Sequence, residues 1–175
     1  ASDVYKRPHQ VTELPKRVHP RLRGYDYSRS GVYFLTLCTQ GRAPILSEIV
    51  GRGIPDAPLV RLSETGRCVQ DAMDYLAGHD AQIQIAASVI MPNHVHILLC
   101  VCGEGNGASG MPRPTGMRVP GFVSSLKRYT NRVCGRPLWQ ASYHDHIIRD
   151  ENDLLNHWSY IEHNPARWAE DEYHV

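Results

Sequence analysis

Apolar residues recur with period two along HVHILLCV, residues 94–101: Val95, Ile97, Leu99 and Val101 fall on one side of an extended chain. His94, His96, Leu98 and Cys100, followed by Cys102, fall on the other. This predicts a strand with one clean core face and one face carrying two imidazoles. IQIAASVIM (83–91) reads as a second strand, and Pro92-Asn93 as the turn that makes the two antiparallel neighbours. GVYFLTLCTQ (31–40) is rich in β-branched and aromatic residues and ends in polar turn signals, so it predicts the first strand. GRAPILSEIVGRGIPDAPL, broken by Gly and Pro, predicts loop with short extended pieces.

Helical spacing appears in three places. Ser63 opens SETGRCVQDAMDYLAGHD, where Cys68/Val69, Ala72/Met73 and Leu76 share a face and Gly78 is the expected stop. FVSSLKRYTNRVCG (122–135) places Val123, Leu126, Thr130 and Val133 on one face. LWQASYHDHIIR (138–149) contains a strand, and a last helix starts near Asp150 and ends by Asn164, because Pro165 disfavours a helical residue before it. The order β-α-β-β-α-β-α, with no internal repeat, predicts an α+β chain. Its first six elements follow the ferredoxin-like (RRM-like) arrangement, an antiparallel sheet with two crossover helices on one face. An additional C-terminal helix follows.

At 175 residues the chain reads as one domain. A basic arm (1–30) precedes a core of residues 31–168, interrupted by a Gly/Pro-rich flexible insertion (103–121) and followed by an acidic tail (169–175). The formal net charge of +1 hides a lopsided distribution: residues 1–23 carry +4 and residues 150–175 carry −6. A basic arm suits nucleic acid but equally describes a solvated segment. The five cysteines, Cys38, Cys68, Cys100, Cys102 and Cys134, are odd in number and lack a C-x-x-C spacing. They read as reduced thiols of a cytoplasmic protein. The polar N-terminal residues show no secretory pattern, and no apolar run is long enough to span a membrane.

Two imidazoles two residues apart on a strand are roughly 6.5–7 Å apart at Cα and can give one nitrogen each to one divalent ion. An H-x-H pair alone does not distinguish ligands from histidines decorating a polar strand. A second triplet, His144-Asp145-His146, has the same spacing. On a helical wheel of DENDLLNHWSYIEHN, Leu154, Leu155, Trp158 and Ile161 form the expected core stripe. Asp153, His157, Tyr160 and Asn164 form a second stripe on its flank, with Tyr160 and Asn164 one turn apart. This suggests a phenolate that attacks a phosphodiester while an ion held by His94, His96 and Asn164 polarises the phosphate. A surface tyrosine and a helix-ending asparagine are the plainer reading. The donor set points to Mg²⁺ or Mn²⁺, with manganese the better match for imidazole.

MPNHVHILL resembles the signature of the single-tyrosine HUH transposases. LWQASYHDHIIRDENDLLNHWSYIEHNP and RLRGYDYSRSGVYFLTLCTQ resemble the REP-associated tyrosine transposases, bacterial relatives of that group. The likeness spans roughly residues 21–168. It implies that His94 and His96 are the metal-binding pair, Tyr160 the nucleophile and Asn164 the third ligand. It further implies nicking and rejoining of single-stranded DNA at an imperfect hairpin with a short flanking tetranucleotide, through a 5′-phosphotyrosine and a free 3′-OH. The chain departs from the family in its 103–121 insertion and in how soon it stops after Pro165, which leaves monomer and homodimer both open.

Phosphate contacts are expected from Arg17, Arg21, Arg23, Lys127, Arg128 and Arg132. Tyr25 and Tyr27 could stack on bases; Tyr33 is expected in the core. Tyr129 and Tyr143 compete with Tyr160, but neither has a carboxamide one turn on. Two other functions stay open: a noncatalytic nucleic-acid-binding module of RRM-like fold, and a metal hydrolase drawing histidines from both triplets to act on a small substrate.

Overall fold

The computed structural model describes residue 26 and residues 29–52, 58–102 and 118–174. Arg17, Arg21, Arg23, Tyr25 and Tyr27 of the arm, and residues 103–117 of the insertion, lie outside the described residues. The elements are β1 (Gly31–Cys38), β2 (Ser47–Arg52), β3 (Pro58–Leu62), α1 (Glu64–His79), β4 (Ile83–Ile90), β5 (His94–Val101), α2 (Arg118–Val133), β6 (His144–Ile147) and α3 (Glu151–His163). Four strands pair in the order β4-β5-β1-β6, every pair antiparallel, which is the ferredoxin-like order.

Alternation decides which side chains meet the helices. Tyr33, Leu35 and Leu37 of β1 and Val95, Ile97, Leu99 and Val101 of β5 join Val69 and Met73 of α1 and Phe122, Val123 and Leu126 of α2 in one buried cluster. Each large aliphatic side chain removed from water there contributes roughly 1.5–3 kcal/mol. Tyr33 packs in this core as expected, and its hydroxyl donates to the Arg29 carbonyl at 2.9 Å. Ser63 caps α1 by accepting from the Gly66 N–H at 3.0 Å.

Several expectations need correction. The stretch 41–59, read as loop with short extended pieces, holds those pieces as β2 and the start of β3, which pair antiparallel; the strands are too short, and too interrupted by Gly and Pro, for alternation to register the pairing. Gly78 does not stop α1, which runs on to His79. Helix α2 begins at Arg118, inside the segment expected to be flexible: Val119 and Pro120 are buried, and a proline is tolerated in a first turn because its missing N–H has no intrahelical partner there. Val133, expected on the core face of α2, is exposed.

The largest correction concerns α3. Of the expected core stripe only Leu154 and Ile161 turn inward; Leu155 is 57% and Trp158 37% exposed. The helix lies on the sheet face opposite α1 and α2, where it meets His96 and Phe34, on the face that also carries the buried Leu98. Its inward arc is accordingly turned toward Leu154, His157, Ile161 and Asn164, with Asp153 and Tyr160 on the flank. Asn164 keeps helical angles (φ −56°, ψ −43°) despite the following proline, and the chain passes into a 3₁₀ turn over Pro165–Glu170. The chain after it folds back over the sheet, where Tyr173 is buried against His94 and His96. Among the described residues no helix is long and apolar enough to cross a membrane. All five cysteines are free thiols.

Candidate active site

His94 and His96 stand on β5, buried beneath α3 and the C-terminal residues. The His94 ring tautomer follows from its neighbours. Asn93 Nδ2 donates to the Tyr173 carbonyl at 2.7 Å, so Asn93 Oδ1 faces His94 Nδ1, 2.9 Å away, and accepts its proton. The His94 Nε2 lone pair is therefore left pointing into the site. His96 Nδ1 is held at 2.9 Å by Thr36 Oγ1 on β1, the residue paired with His96 across the sheet. A ring nitrogen fixed from behind while the other faces a cavity is the usual arrangement of a metal-binding histidine.

Tyr160 and Asn164 arrive from α3. The Tyr160 ring lies edge-on to His96, centroids 5.1 Å apart, and against Phe34 at 6.0 Å. Its hydroxyl donates to Asp171 Oδ2 at 3.3 Å, and Asn164 Nδ2 donates to the same oxygen at 2.8 Å. Three buried acceptors have no hydrogen-bond partner among the described residues at this site: His94 Nε2, His96 Nε2 and Asn164 Oδ1. An orphaned buried acceptor costs roughly 1–3 kcal/mol. Two imidazole lone pairs and a carboxamide oxygen left bare together are the donor set of a divalent cation, and the residues fit that group. Asp171 belongs to the same cluster: its carboxylate and the two imidazoles offer ligand atoms within 4.8 Å of one another.

The protonation states agree with this arrangement. Burial lowers the pKa of both histidines, with His94 and His157 adding to the effect at His96, so both rings are neutral near pH 7. Burial, then the carboxylates of Asp171 and Glu172, push the Tyr160 hydroxyl up to about 12. Without a cation its phenolate fraction at pH 7 is on the order of one in 10⁵. Two clefts, of about 640 and 500 Å³, both include Tyr160 in their walls, so the nucleophile candidate is open to solvent.

The structure thus brings His94, His96, Tyr160 and Asn164 together. It does not bring the α2 cations to them. Lys127 donates to the carbonyls of Gln140, Ala141 and Ser142 at 2.8, 3.3 and 3.0 Å, tying α2 to the loop before β6. Arg128 and Arg132 line a groove with Tyr75, Leu76 and Tyr129 between α1 and α2, on the other side of the sheet. The competing tyrosines are there too, Tyr129 under the Arg132 guanidinium and Tyr143 buried beside Lys127. The two histidine triplets do not converge on one ion: His146 groups with Asp153 and His157, and His144 is exposed. The sheet face that an RNA-recognition domain leaves open to bases is covered here by α3 and the C-terminal residues.

Sequence reasoning missed Asn93, Thr36, Phe34, Asp171 and Tyr173. Asn93 was legible only as a turn residue, although its place directly before the H-x-H pair was a signal. Asp171 lay in an acidic run that carries no periodicity.

No family model matches the chain. A Haemophilus influenzae protein described as uncharacterized is 27% identical over 172 residues, covering 89% of this chain and 91% of the relative. A second protein of that organism, provisionally named a REP-associated tyrosine transposase, is 22% identical over 154 residues, covering 81% of this chain and 74% of the relative. The solved structure of a REP-associated tyrosine transposase bound to a REP hairpin superposes with a TM-score of 0.60 at 19% identity, covering 87% of this chain and 76% of that one. The chain has the fold of a REP-associated tyrosine transposase, and its resemblance to that group extends over most of its length.

Proposed function

We propose that this chain is a metal-dependent, single-tyrosine strand transferase that nicks and rejoins single-stranded DNA bearing a hairpin. The observation that carries the reading is the meeting of the Tyr160 hydroxyl and the Asn164 carboxamide from α3 with the two bare imidazole nitrogens of β5.

Tyr160 Oη attacks the scissile phosphorus and the bond to the 3′ oxygen breaks, giving a 5′-phosphotyrosine and a 3′-hydroxyl once the leaving oxygen takes up a proton. Attack by a 3′-hydroxyl on the phosphotyrosine reverses the step, so no external energy source is consumed. Asp171, 3.3 Å from the phenol oxygen, is the group at hand to accept its proton. His94, His96 and Asn164 would hold a divalent cation, Mg²⁺ or Mn²⁺, whose charge favours phenolate over phenol and draws electron density from the phosphate. Phe34, stacked against His96 at 5.1 Å, and Thr36 hold the ring that faces the phosphate.

DNA phosphates need cations. Arg167 lines the larger cleft beside Tyr160, and Arg42 lies over the Tyr173 ring at 5.2 Å. The arm residues Arg17, Arg21 and Arg23, together with Arg128 and Arg132, would add peripheral contacts to a hairpin that extends beyond the site; Lys127 has the weakest claim because its ammonium is already engaged. The solved structural relative is bound to a REP hairpin, and a hairpin is the substrate we assign to this chain. The test is cleavage of end-labelled, hairpin-bearing single strands with Mn²⁺. Site-specific cleavage that EDTA stops is expected, whereas cleavage indifferent to EDTA overturns the metal role.

A further inference from the structure

A second group of ligating side chains lies outside the proposed strand-transfer site. His146 comes from β6, where pairing of Phe34 with His146 fixes its place; Asp153 and His157 come from α3, one turn apart. His146 Nε2 is 2.9 Å from Asp153 Oδ2, and His157 Nδ1 is 3.1 Å from Asp153 Oδ1. The two imidazoles stack at 4.6 Å with an interplanar angle of 18°. The three side chains offer ligand atoms that all lie within 4.8 Å of one another. Ligands bound at about 2.0–2.1 Å around a tetrahedral ion sit about 3.3 Å from each other. The carboxylate–imidazole spacings are close to that edge length.

We propose that His146, Asp153 and His157 form a second cation site, built for a zinc-like ion. Two imidazoles and one carboxylate are a borderline donor set, poorly matched to Mg²⁺, and they leave a fourth position for water. The site is open to solvent, because His146 and His157 line the 500 Å³ cleft and the His146 side chain is 42% exposed. His157 Nδ1 also lies 2.8 Å from the Asp153 carbonyl, which can only accept, so without an ion that nitrogen carries the ring proton. Ion binding through Nδ1 moves the proton to Nε2.

The consequence is mechanical. The ion ties β6 to the first turns of α3, the helix that carries Tyr160. His157 also packs on Phe34 at 4.6 Å, and Phe34 in turn touches His96 and Tyr160. A filled site would hold this aromatic platform in register without touching the reacting phosphate. None of the three ligands belongs to the nucleophile or to its ion.

The test is zinc stoichiometry of the full chain, stripped of metal, loaded with Zn²⁺, desalted and assayed by elemental analysis without DNA. His146→Gln, at a half-exposed position that folding tolerates, is expected to bind one zinc fewer than the parent chain. Asp153→Asn should lose the same equivalent, and with Co²⁺ loaded in place of zinc both variants should show weaker tetrahedral visible absorption than the parent chain. Unchanged stoichiometry in His146→Gln overturns the proposal and reduces the cluster to a hydrogen-bonded clip between β6 and α3.

Discussion

Asn93 Oδ1 accepts the His94 Nδ1 proton at 2.9 Å while Asn93 Nδ2 is held by the Tyr173 carbonyl at 2.7 Å. One buried carboxamide therefore sets the His94 tautomer and pins the C-terminal residues over the site. Asn93→Ala removes both functions. We expect metal affinity to fall about 10–100-fold and stability by roughly 1–3 kcal/mol, since the Tyr173 carbonyl loses its donor. Calorimetric titration with Mn²⁺ and urea unfolding measure the two effects; unchanged affinity would show that His94 is oriented by other means.

Ion binding to the folded chain alone must stabilise it. At a Mn²⁺ concentration 100 times the dissociation constant the gain is about 2.7 kcal/mol. His96→Leu should abolish that gain. A thermal shift of the same size in parent and variant would place the ion away from His96.

The metal-free protein should weaken on mild acidification. Folding lowers the pKa of His94 and His96 below the unfolded value, so the unfolded chain binds more protons as pH falls. Their contribution to stability is complete above pH ~6.5 and declines below it, by roughly 1 kcal/mol per histidine at one unit lower. Urea unfolding at pH 7 and pH 5.5 reads this loss. The double variant His94→Gln, His96→Gln should lose less over the same interval; an equal loss would assign the acid sensitivity to other groups.

Gly66 tests the fold independently of the chemistry. A Cβ at this position in the first turn of α1 would overlap the Leu46 carbonyl oxygen, a backbone atom that cannot step aside cheaply. Gly66→Ala should destabilise by roughly 1–3 kcal/mol despite alanine's better helix propensity. A neutral or stabilising result would mean that the Leu46 segment moves freely.

The parts of this protein that were legible in its sequence are those in which one face meets aliphatic core. HVHILLCV disclosed both its strand and its two faces because Val95, Ile97, Leu99 and Val101 pack against α1 and α2 while the histidines do not. Tyr160 and Asn164 could be paired because helical spacing is local. The face that α3 buries was not legible. Leu155 and Trp158 look like core by hydrophobicity, yet the surface awaiting α3 mixes Phe34 and Leu98 with the imidazole of His96, and a wheel drawn on one helix carries no record of its partner. Asp171 and Tyr173 were hidden for a related reason: their contacts with Asn164 and with Asn93 are tertiary, the latter across 80 residues of chain.

Tyr160→Phe removes a hydroxyl whose hydrogen bond to Asp171 is long and exposed, so the fold should be nearly unaffected. Binding of a hairpin strand should persist while all covalent capture disappears. Loss of binding together with capture would make the tyrosine a DNA contact instead of a nucleophile.

The most direct measurement is the site of attachment. Full-length protein is incubated with Mn²⁺ and a hairpin-bearing single strand, denatured, digested with protease and nuclease, and the nucleotide-bearing peptide is sequenced by mass spectrometry. The account predicts a phosphotyrosine at Tyr160. An adduct on Tyr129, Tyr143 or another residue, or cleavage with no protein–DNA bond, would contradict it.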